Sequence, residues 1–349
     1  MKIITVIGAR PQFIKAAAVS NILRKSHEEI LVHTGQHYDS NMSDIFFNEL
    51  GIPKPNYNLD IGSGNHGFQT GKMLIELEEL YLKEKPDLIL VYGDTNSTLA
   101  GALTASKLLI PIAHIEAGLR SFNMNMPEEQ NRVLTDHISK YLFAPTDTAV
   151  KNLKDENIIK NVYNTGDVMF DAIKLFKEKA LKTSSVLKNN NITPNEYILS
   201  TIHRAENTNN IDRLTNIINA LNESNKTIVL PLHPRTHKFI NDYGIKINNN
   251  VKIIEPVGYL DMINLENNAQ KIVTDSGGVQ KEAYFMQKPC ITMRDETEWI
   301  ETVENGWNII TGSNKEKILH AIINFNPNGE QKMVFGSGNA ADIISEKLR

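Results

Sequence analysis

Short apolar runs alternate with longer segments of mixed apolar and polar residues along the whole chain. The runs are nearly continuous in Val, Ile and Leu, which is typical of parallel strands covered on both faces. The longer segments have the apolar spacing of helices, so this order predicts βαβ units around a parallel sheet. In the first half the predicted strands are Ile3–Ile7, Ile30–Thr34, Leu88–Tyr92, Ile112–Ile115 and Tyr141–Ala144, and the predicted helices are Ile14–Arg24, Gln69–Lys85, Thr98–Leu109 and Glu128–Lys140.

The second half of the chain repeats this alternation. Two parallel sheets in one chain predict an α/β fold with two Rossmann-like domains that face a central cleft. We place the domains at residues 1–166 and 167–335, followed by residues 336–349 with a short helix, Ile343–Leu348. The predicted strands of the second half are Ile198–Ile202, Ile228–Pro231, Val251–Ile254, Ile272–Thr274, Ile291–Met293 and Asn308–Ile310, and the predicted helices are Ile211–Leu221, Thr236–Tyr243, Leu260–Asn268 and Val279–Met286.

Length and composition fit this fold class and exclude several functions. At about 100–200 residues per domain, 349 residues correspond to two domains. The formal net charge of −4 gives no broad electrostatic case for binding nucleic acid or an anionic membrane surface. No apolar run approaches the ~20 residues of a membrane span, and a strand, not a signal peptide, follows Lys2. We therefore expect a cytoplasmic protein with no nucleic-acid or membrane partner.

Ligands of open α/β sheets bind at the carboxyl ends of the strands, so the residues that follow each strand are the candidates for function. Gly8 follows the first strand and leaves room for a ligand, because it has no side chain. Arg10 and Lys15 come next, and their charges can neutralise a diphosphate. The alternative for both is an ordinary surface position. Their place at a strand end favours binding of an anion.

Carboxylates follow two further strands of the first half. Asp94 comes two residues after Leu88–Tyr92, and Glu116 directly follows Ile112–Ile115. Capping alone can explain Asp94, and the helix dipole alone favours an acidic residue such as Glu128 at the start of a helix. A carboxylate at the end of an apolar strand, however, needs partners. We predict that the three form an acid–base cluster, and we expect no metal, because no histidine pair at metal-binding spacing accompanies them.

A glycine-rich turn in the second half predicts an anion site. Ser276, Gly277 and Gly278 stand between a strand and a helix. Backbone N–H groups and the positive end of the helix dipole can therefore meet a phosphate there. Glu282 lies within the same helix, where its carboxylate can accept hydrogen bonds from sugar hydroxyls. The alternative is a tight strand–helix turn with a capping serine, which is a common structure.

Basic residues follow two other strands of the second half. His203 and Arg204 come after Ile198–Ile202, and Arg294 comes after Ile291–Met293. A lone histidine is more often structural, but a His-Arg pair at a strand end suits a diphosphate, and His203 can also pass a proton to a leaving phosphate. The first half is thus acidic at its strand ends, and the second half binds anions. This asymmetry favours a nucleotide-sugar with its sugar at the carboxylates.

Six motifs at strand ends recur together, in order, in a known family. The motifs are Gly8–Gln12, Gly93–Thr95, His114–Arg120, Pro127–Arg132, His203–Asn207 and Asp275–Gln280. The chain resembles the non-hydrolysing UDP-N-acetylglucosamine 2-epimerases over nearly its whole length, and this implies the two-domain fold that they share with GT-B glycosyltransferases. Six ordered motifs are far more specific than any one glycine-rich loop.

The resemblance implies a homodimeric isomerase without a cofactor, whose terminal helix packs back on the first domain. Its reaction is epimerisation at carbon 2 of UDP-N-acetylglucosamine, giving UDP-N-acetylmannosamine for surface polysaccharide precursors. UDP leaves by anti elimination to a 2-acetamidoglucal and adds again after a proton returns to the other face. Carried over by motif, the acid–base residues are Asp94, Glu116 and Glu128, with His203 assisting the leaving diphosphate. The implied ligands of the UDP-sugar are Arg10, Lys15, His203, Arg204, Ser276, Gly277, Gly278, Glu282 and Arg294.

Two motifs depart from the usual family pattern and keep alternatives open. Ala205 stands where a second arginine is usual, and Trp299 follows Glu298 where the family has Thr-Glu-Arg-Pro-Glu. The Thr-Glu-Trp form is similar to that of members that act on modified sugars, such as UDP-2,3-diacetamido-glucuronate or a 6-deoxy amino sugar. Three other functions stay open: a hydrolysing epimerase that releases N-acetylmannosamine and UDP, a GT-B glycosyltransferase, and a nucleotide-sugar sensor without activity.

Overall fold

The structure, a computed structural model, describes residues 1–36, 50–52 and 54–349; the side chain of Arg10 lies outside the described part. The chain divides into two compact units. Unit 1 comprises Met1–Leu175 with Met333–Arg349, and unit 2 comprises Phe176–Lys332. The last residues of the chain thus belong to the same unit as the first. The domain boundaries placed at residues 166 and 335 stay predictions.

Unit 1 contains the strands β1 (Lys2–Ile7), β2 (Glu28–His33), β3 (Tyr57–Asn58), β4 (Leu88–Tyr92), β5 (Ile112–Ile115), β6 (Tyr141–Ala144) and β7 (Val162–Asn164). They form one parallel sheet in the order β3-β2-β1-β4-β5-β6-β7. Every residue of β4 and β5 is buried, as expected for central strands with helices on both faces. The helices are α1 (Arg10–Leu23), α2 (His66–Glu84), α3 (Asn96–Lys107), α4 (Pro127–Ile138), α5 (Asp147–Asp155) and α6 (Val168–Thr183), the last of which continues into unit 2.

Unit 2 contains the strands β8 (Ile198–Thr201), β9 (Ile228–Pro231), β10 (Val251–Ile254), β11 (Lys271–Thr274), β12 (Cys290–Thr292) and β13 (Asn308–Ile310). They form a second parallel sheet in the order β10-β9-β8-β11-β12-β13. The helices are α7 (Val186–Asn189), α8 (Ala205–Thr208), α9 (Ile211–Glu223), α10 (Pro234–Asp242), α11 (Tyr259–Asn267), α12 (Gly277–Phe285), α13 (Ile300–Glu304) and α14 (Lys315–Asn324). A buried cluster of Ile, Leu and Val lies between the sheet and helices α9 and α14.

The terminal helix, α15 (Ala340–Lys347), packs against α1 within unit 1. The Asp171 carboxylate accepts hydrogen bonds from the first two N–H groups of this helix, those of Ala340 (3.1 Å) and Ala341 (3.0 Å). A carboxylate at a helix start satisfies N–H groups that have no partner within the helix, and the helix dipole favours its charge. The side chain of Asp171 therefore ties α6 to the end of the chain.

The predicted α/β class with two parallel sheets is confirmed, and each predicted strand is present within two residues of its predicted bounds. The edge strands β3 and β7 were not predicted, because two or three residues carry no recognisable pattern. Helices α5, α6 and α14 and the short helices α7, α8 and α13 were also missed, although the buried Ile318, Ala321 and Ile322 of α14 have helical spacing. Within the described ranges, the helices lack the length and apolar character needed to cross a membrane.

Both sheets reverse their strand order at one point. In unit 1 the reversal lies between β1 and β4, and in unit 2 it lies between β8 and β11. The connections from the two neighbouring strands leave in opposite directions at such a switch point, so a crevice opens at their carboxyl ends. The residues that follow these four strands are therefore the first place to look for a site.

Candidate active site

At the switch point of unit 1, Gln12 joins the ends of β1 and β4. Its Oε1 atom accepts hydrogen bonds from the N–H groups of Gly8 (2.8 Å) and Ala9 (3.0 Å). Its Nε2 atom donates to the Tyr92 carbonyl oxygen at 2.7 Å. A side chain at residue 8 would overlap Ser97, so glycine allows the close approach of α3. Gln12 belongs to a recognised motif, but its linking role was not predicted.

Glu116 directly follows β5, and its backbone has a left-handed φ of 68°. Such a conformation costs a non-glycine residue about 1–3 kcal/mol and persists where the surroundings enforce it. The buried carboxylate forms an ion pair with the Lys15 ammonium. A Cβ atom on Gly93 would lie 3.2 Å from Glu116 Oε2, so this carboxylate covers the residue next to Asp94. The phosphate-binding role of Lys15 stays a prediction beside this observed contact.

Asp94 is held by residues of α4. Arg132 forms an ion pair with the Asp94 carboxylate, and Asn131 Nδ2 donates to the Asp94 carbonyl oxygen at 2.9 Å. Glu128 is exposed in the first turn of α4, four residues before Arg132. Residues four apart share a helix face. The start of α4 therefore brings Glu128 to the same part of unit 1 as Asp94.

Glu129, the neighbour of Glu128, is buried and holds the loop before α4. Its carboxylate oxygens accept hydrogen bonds from the N–H groups of Ser121 and Phe122, each at 2.9 Å. Burial alone would raise the pKa of Glu129, but these N–H groups and the Arg132 guanidinium hold the pKa below its ordinary value. Glu129 is thus an ionised structural residue, which leaves the exposed Glu128 as the candidate.

The two carboxylates after the strands lie in different surroundings. The side chain of Glu116 is 5% exposed, and that of Asp94 is 31% exposed. Acid and base roles require two groups that hold protons with different strength, and unequal burial is a common cause of such a difference. Among residues 1–36, 50–52 and 54–349, the His, Cys, Asp and Glu side chains form no group of three that could hold a metal ion.

At the switch point of unit 2, Asp275 joins the ends of β8 and β11. Its carboxylate accepts hydrogen bonds at 3.1 Å from the backbone N–H groups of His203 and Arg204 and from Asn207 Nδ2. His203 Nδ1 lies 3.0 Å from the same carboxylate. Burial opposes ionisation, but His203 and the other donors hold the pKa of Asp275 below its ordinary value. The Nδ1 atom of His203 therefore carries hydrogen, and Nε2 is left for proton exchange.

The start of α12 shows that the two predicted glycines differ. Ser276 is the N-cap residue, and its hydroxyl accepts a hydrogen bond from the Val279 N–H group at 3.4 Å. A Cβ atom at Gly277 would overlap the Glu298 carboxylate, whereas a Cβ atom at Gly278 would meet only Ser276 Oγ, at 3.9 Å. Gly277 therefore makes room for a side chain of the protein itself, and Gly278 leaves the open space.

Glu298 is an internal anion at this helix start. Arg294 Nη1 donates to its Oε2 atom at 2.8 Å. Burial would raise the pKa of Glu298, but Arg294 and, more weakly, Arg204 hold the pKa below its ordinary value. The predicted anion site thus already contains a carboxylate beside its two guanidinium groups. Glu298 was not among the predicted site residues, although the altered Thr-Glu-Trp motif was a signal.

Glu282 lies in the second turn of α12, because the helix begins at Gly277, two residues earlier than predicted. Its carboxyl group is buried and interacts with that of Glu266 on α11. Burial, reinforced by the Glu282 charge, raises the pKa of Glu266 well above its ordinary value. A carboxyl group kept neutral in this way can donate to a neighbouring carboxylate. The role of Glu282 toward sugar hydroxyls stays a prediction.

Each unit thus assembles part of the predicted set at its own switch point. Unit 1 brings Lys15, Asp94 and Glu116 together with the start of α4. The backbone of Arg10 begins α1, but its side chain lies outside the described part of the chain. Unit 2 brings together His203, Arg204, Ser276, Gly277, Gly278 and Arg294.

Known proteins match the chain over its length. A family model described as UDP-N-acetylglucosamine 2-epimerase matches residues 21–349. A UDP-N-acetylglucosamine 2-epimerase homolog of Methanococcus maripaludis is 61% identical, with 100% of this chain and 99% of the relative covered. A UDP-2,3-diacetamido-2,3-dideoxy-D-glucuronate 2-epimerase of Pseudomonas aeruginosa is 52% identical with the same coverage.

Solved structures agree with these relatives. The crystal structure of the Methanocaldococcus jannaschii UDP-GlcNAc 2-epimerase, in complex with UDP-GlcNAc and UDP, matches with a TM-score of 0.91 at 50% identity. The match covers 100% of this chain and 99% of that one. The predicted GT-B-like fold class is therefore confirmed, and so is the predicted resemblance. By its family model, its relatives and its fold, the chain belongs to the UDP-N-acetylglucosamine 2-epimerase family.

Proposed function

We propose that the protein is a non-hydrolysing epimerase that inverts carbon 2 of a UDP-N-acetylhexosamine, interconverting UDP-N-acetylglucosamine and UDP-N-acetylmannosamine. The observation that carries this proposal is the placement of Asp94 and Glu116 after neighbouring strands of one sheet, each with its own cationic partner. A glycosyltransferase has no need of such a pair of carboxylates, whereas an epimerase has to remove a proton and to return one.

The proposed reaction moves a proton from one face of carbon 2 to the other. A base takes the proton, the C2–H electron pair becomes the C1=C2 double bond, and the C1–O bond breaks with its electrons on the diphosphate oxygen. An acid then protonates the opposite face of carbon 2 while the diphosphate oxygen attacks carbon 1. We assign these roles to Glu116 and Asp94, which follow neighbouring strands and differ in exposure, with Glu128 as a third carboxylate.

In this proposal unit 2 binds the UDP group. Gly278 leaves space for a phosphate at the positive end of α12, where Arg294 supplies a positive charge. His203, oriented by Asp275, passes a proton to the leaving diphosphate. Both effects favour departure of UDP, which the weakly acidic C2–H bond requires. The complete set of proposed UDP-sugar ligands is Arg10, Lys15, His203, Arg204, Ser276, Gly277, Gly278, Glu282 and Arg294.

A modified sugar is the second candidate substrate. The P. aeruginosa relative named for UDP-2,3-diacetamido-2,3-dideoxy-D-glucuronate is 52% identical, slightly more than the 50% of the M. jannaschii enzyme. The chain also has Trp299 where the family usually has arginine, and Lys281 Nζ lies 4.0 Å from the centre of its ring. A cation packed on an indole is a different surface from an arginine. The surroundings of Trp299 therefore support testing acidic sugars.

We also propose that the enzyme is a homodimer. Phe68, Ile75 and Leu82 lie seven residues apart on α2, so they share a face of this helix, and their exposed fractions are 61%, 60% and 59%. An apolar stripe of this kind on a surface helix is typical of an interface. Ile75→Lys should shift the molar mass in sedimentation experiments from the dimer to the monomer. The cytoplasmic location stays a prediction.

Proton NMR in deuterium oxide tests the proposed function. With UDP-N-acetylglucosamine we expect loss of the C2 proton signal, appearance of UDP-N-acetylmannosamine, and no free sugar. The same assay on UDP-2,3-diacetamido-glucuronate and 6-deoxy amino sugars identifies the preferred substrate by the rate of exchange. Release of N-acetylmannosamine and UDP would show a hydrolysing epimerase, and binding of UDP-sugars without any exchange would show a sensor.

A further inference from the structure

His114 and Asp136 form a buried pair between the loops that carry Asp94 and Glu116. Both side chains are fully buried, and His114 Nδ1 lies 2.7 Å from Asp136 Oδ1. The other ring nitrogen, Nε2, lies 2.8 Å from the carbonyl oxygen of Gly93. His114 thus contacts the residue before Asp94 and precedes Glu116 by two positions. One ring therefore reaches both loops.

Asp136 also holds the chain on the other side of Glu116. Its Oδ2 atom accepts hydrogen bonds from the Gly118 N–H group (3.0 Å) and from Arg120 Nη1 (2.7 Å). Arg120 in turn donates to Glu156 through Nε (2.6 Å) and Nη2 (2.8 Å). One buried carboxylate therefore ties residues 114, 118 and 120, which surround Glu116 in the sequence.

The hydrogen bonds use both nitrogens of the His114 ring. A carbonyl oxygen only accepts, so Nε2 must carry a hydrogen to bond Gly93. Asp136 Oδ1 is the partner of Nδ1, while Oδ2 accepts from Gly118 and Arg120. Burial opposes ionisation of Asp136, but His114 and Arg120 hold its pKa below the ordinary value. Rotation of the ring would therefore break two contacts at once, and the charged groups around it are Asp136, Arg120 and, beyond them, Glu156.

We propose that the His114–Asp136 pair positions the Asp94 and Glu116 loops for the two proton transfers. This inference rests on the proposed function, which assigns the acid and base roles to Asp94 and Glu116. Gly93 and Glu116 both have left-handed backbones, with φ of 62° and 68°. Glycine adopts this conformation at little cost, whereas at Glu116 it persists only where surrounding contacts enforce it. The pair contacts both turns, and a shift of ~1 Å in a reacting group can cost ~10²-fold in rate.

Two amide variants test the positioning role. His114→Gln keeps the approximate shape, but its amide oxygen has to face either the Asp136 carboxylate or the Gly93 carbonyl oxygen. In Asp136→Asn, by contrast, the amide at 136 can donate to His114 Nδ1 while Nε2 still donates to Gly93. We expect His114→Gln to lower kcat for epimerisation about 100-fold and to leave KM within about threefold, because the proposed UDP ligands of unit 2 are untouched, and we expect a smaller loss of kcat in Asp136→Asn. His137→Gln is the matched control, since this neighbouring histidine is 47% exposed, and it should change kcat less than about twofold. Unchanged kcat, or a rise in KM alone, overturns the proposal.

A double variant separates lost positioning from lost folding. In His114→Gln with Asp136→Asn, the amide at 114 can donate to Gly93 and accept from the amide at 136, whose oxygen still receives the Gly118 N–H group. We expect kcat to recover about tenfold over His114→Gln, since coupled residues show non-additive effects. A double variant that is as slow as His114→Gln, or slower, contradicts a shared role.

The wild-type protein tests the hydrogen bonds of the ring directly. With 15N-labelled histidine, the ring signal that disappears in His114→Gln should show a hydrogen on Nε2, the atom that faces the Gly93 carbonyl oxygen. A ring whose Nε2 atom carries no hydrogen overturns the proposal. If the wild type turns over no UDP-sugar, the proposed function fails and the positioning role fails with it, whatever the ring signal shows. If it turns over and the variants are unimpaired, only the positioning role fails.

Discussion

The switch points of the two units share one strand order and carry opposite chemistry. In unit 1 the residues after the strands are the carboxylates Asp94 and Glu116, each neutralised by a cation. In unit 2 the helix start with Arg294 is cationic and is neutralised by Glu298. The strand order decides where a crevice opens, and the side chains that follow the strands decide what can happen there.

The two units also resemble each other in how they pair buried charges with accessible ones. A charge that leaves water needs a partner, and in both units a buried residue holds a more accessible one. Arg132 is 8% exposed and holds Asp94, which is 31% exposed. Asp275 is fully buried and holds His203, which is 56% exposed. In these two pairs we assign chemistry to the accessible member, whereas in the Lys15–Glu116 pair we assign it to the more buried Glu116.

The largest effect is expected at the carboxylates of unit 1, to which we assign the proton transfers at carbon 2. Glu116→Gln keeps the shape and removes the ionisable group, so kcat should fall about 10²–10⁴-fold. The Kd for UDP, measured by calorimetry, should stay within about twofold, and Asp94→Asn should behave in the same way. Glu330→Gln at an exposed position outside the proposed sites controls for the change in net charge. Near-normal rates in Glu116→Gln would place the chemistry elsewhere.

The ion pair between Lys15 and Glu116 in unit 1 gives the next largest effect. Lys15→Met leaves the Glu116 carboxylate buried without its cation, which costs about 3–5 kcal/mol of unfolding free energy in comparable cases. Denaturant titration at pH 7 should show this loss, and most of it should return when Glu116→Gln is added. Lys25→Met is the exposed control. Weaker binding of UDP-sugar at unchanged stability would favour the phosphate-binding role of Lys15.

A matched pair of glycine variants sharpens the account of unit 2. Gly277→Ala forces the Glu298 carboxylate away from Arg294, so we expect the unfolding free energy to fall by about 2 kcal/mol. Gly278→Ala meets open space, and its helix propensity should raise stability by up to about 1 kcal/mol. If UDP approaches the backbone at Gly278, calorimetry should show weaker binding in that variant. Equal stability of the two variants would contradict the different roles of the glycines.

The smallest effect concerns the carboxyl pair of α11 and α12. The folded-state pKa of Glu266 is raised, so the folded protein holds this proton more tightly than the unfolded chain. Its contribution to stability is full below the unfolded value near 4.3 and is lost as pH rises toward the folded value. Glu266→Gln lacks this loss, and we expect it to be about 1 kcal/mol more stable than the wild type at pH 8. Identical pH profiles of unfolding would argue against a neutral Glu266.

The fold was largely predictable because strands and helices have local signatures. The bounds of β4, β5 and β6 agree with the apolar runs that predicted them. The missed elements have another origin: β3 is a two-residue strand that exists through its pairing with β2. Helices such as α12 begin earlier than predicted because polar and glycine residues, rather than apolar ones, form their first turn.

The site was predictable in its members and not in its contacts. Asp94, Glu116 and His203 were recognised because they follow strands and lie in ordered motifs. Their partners were not assigned, because Lys15 lies 101 positions before Glu116 and pairs with it only in the folded sheet. Glu298 was missed for the same reason, since its place against Gly277 depends on the packing of two separate loops.

By itself, the sequence determined the order of strands and helices, the residues at each strand end, and the family to which those motifs point. These features follow from patterns among residues that are close together in the sequence, so they can be recognised without the tertiary structure. The tertiary structure alone decided which charges are buried together, which glycine makes room for a side chain of the protein, and which histidine has both ring nitrogens hydrogen-bonded. Those properties depend on burial and on partners from distant parts of the chain, and no local pattern contains them.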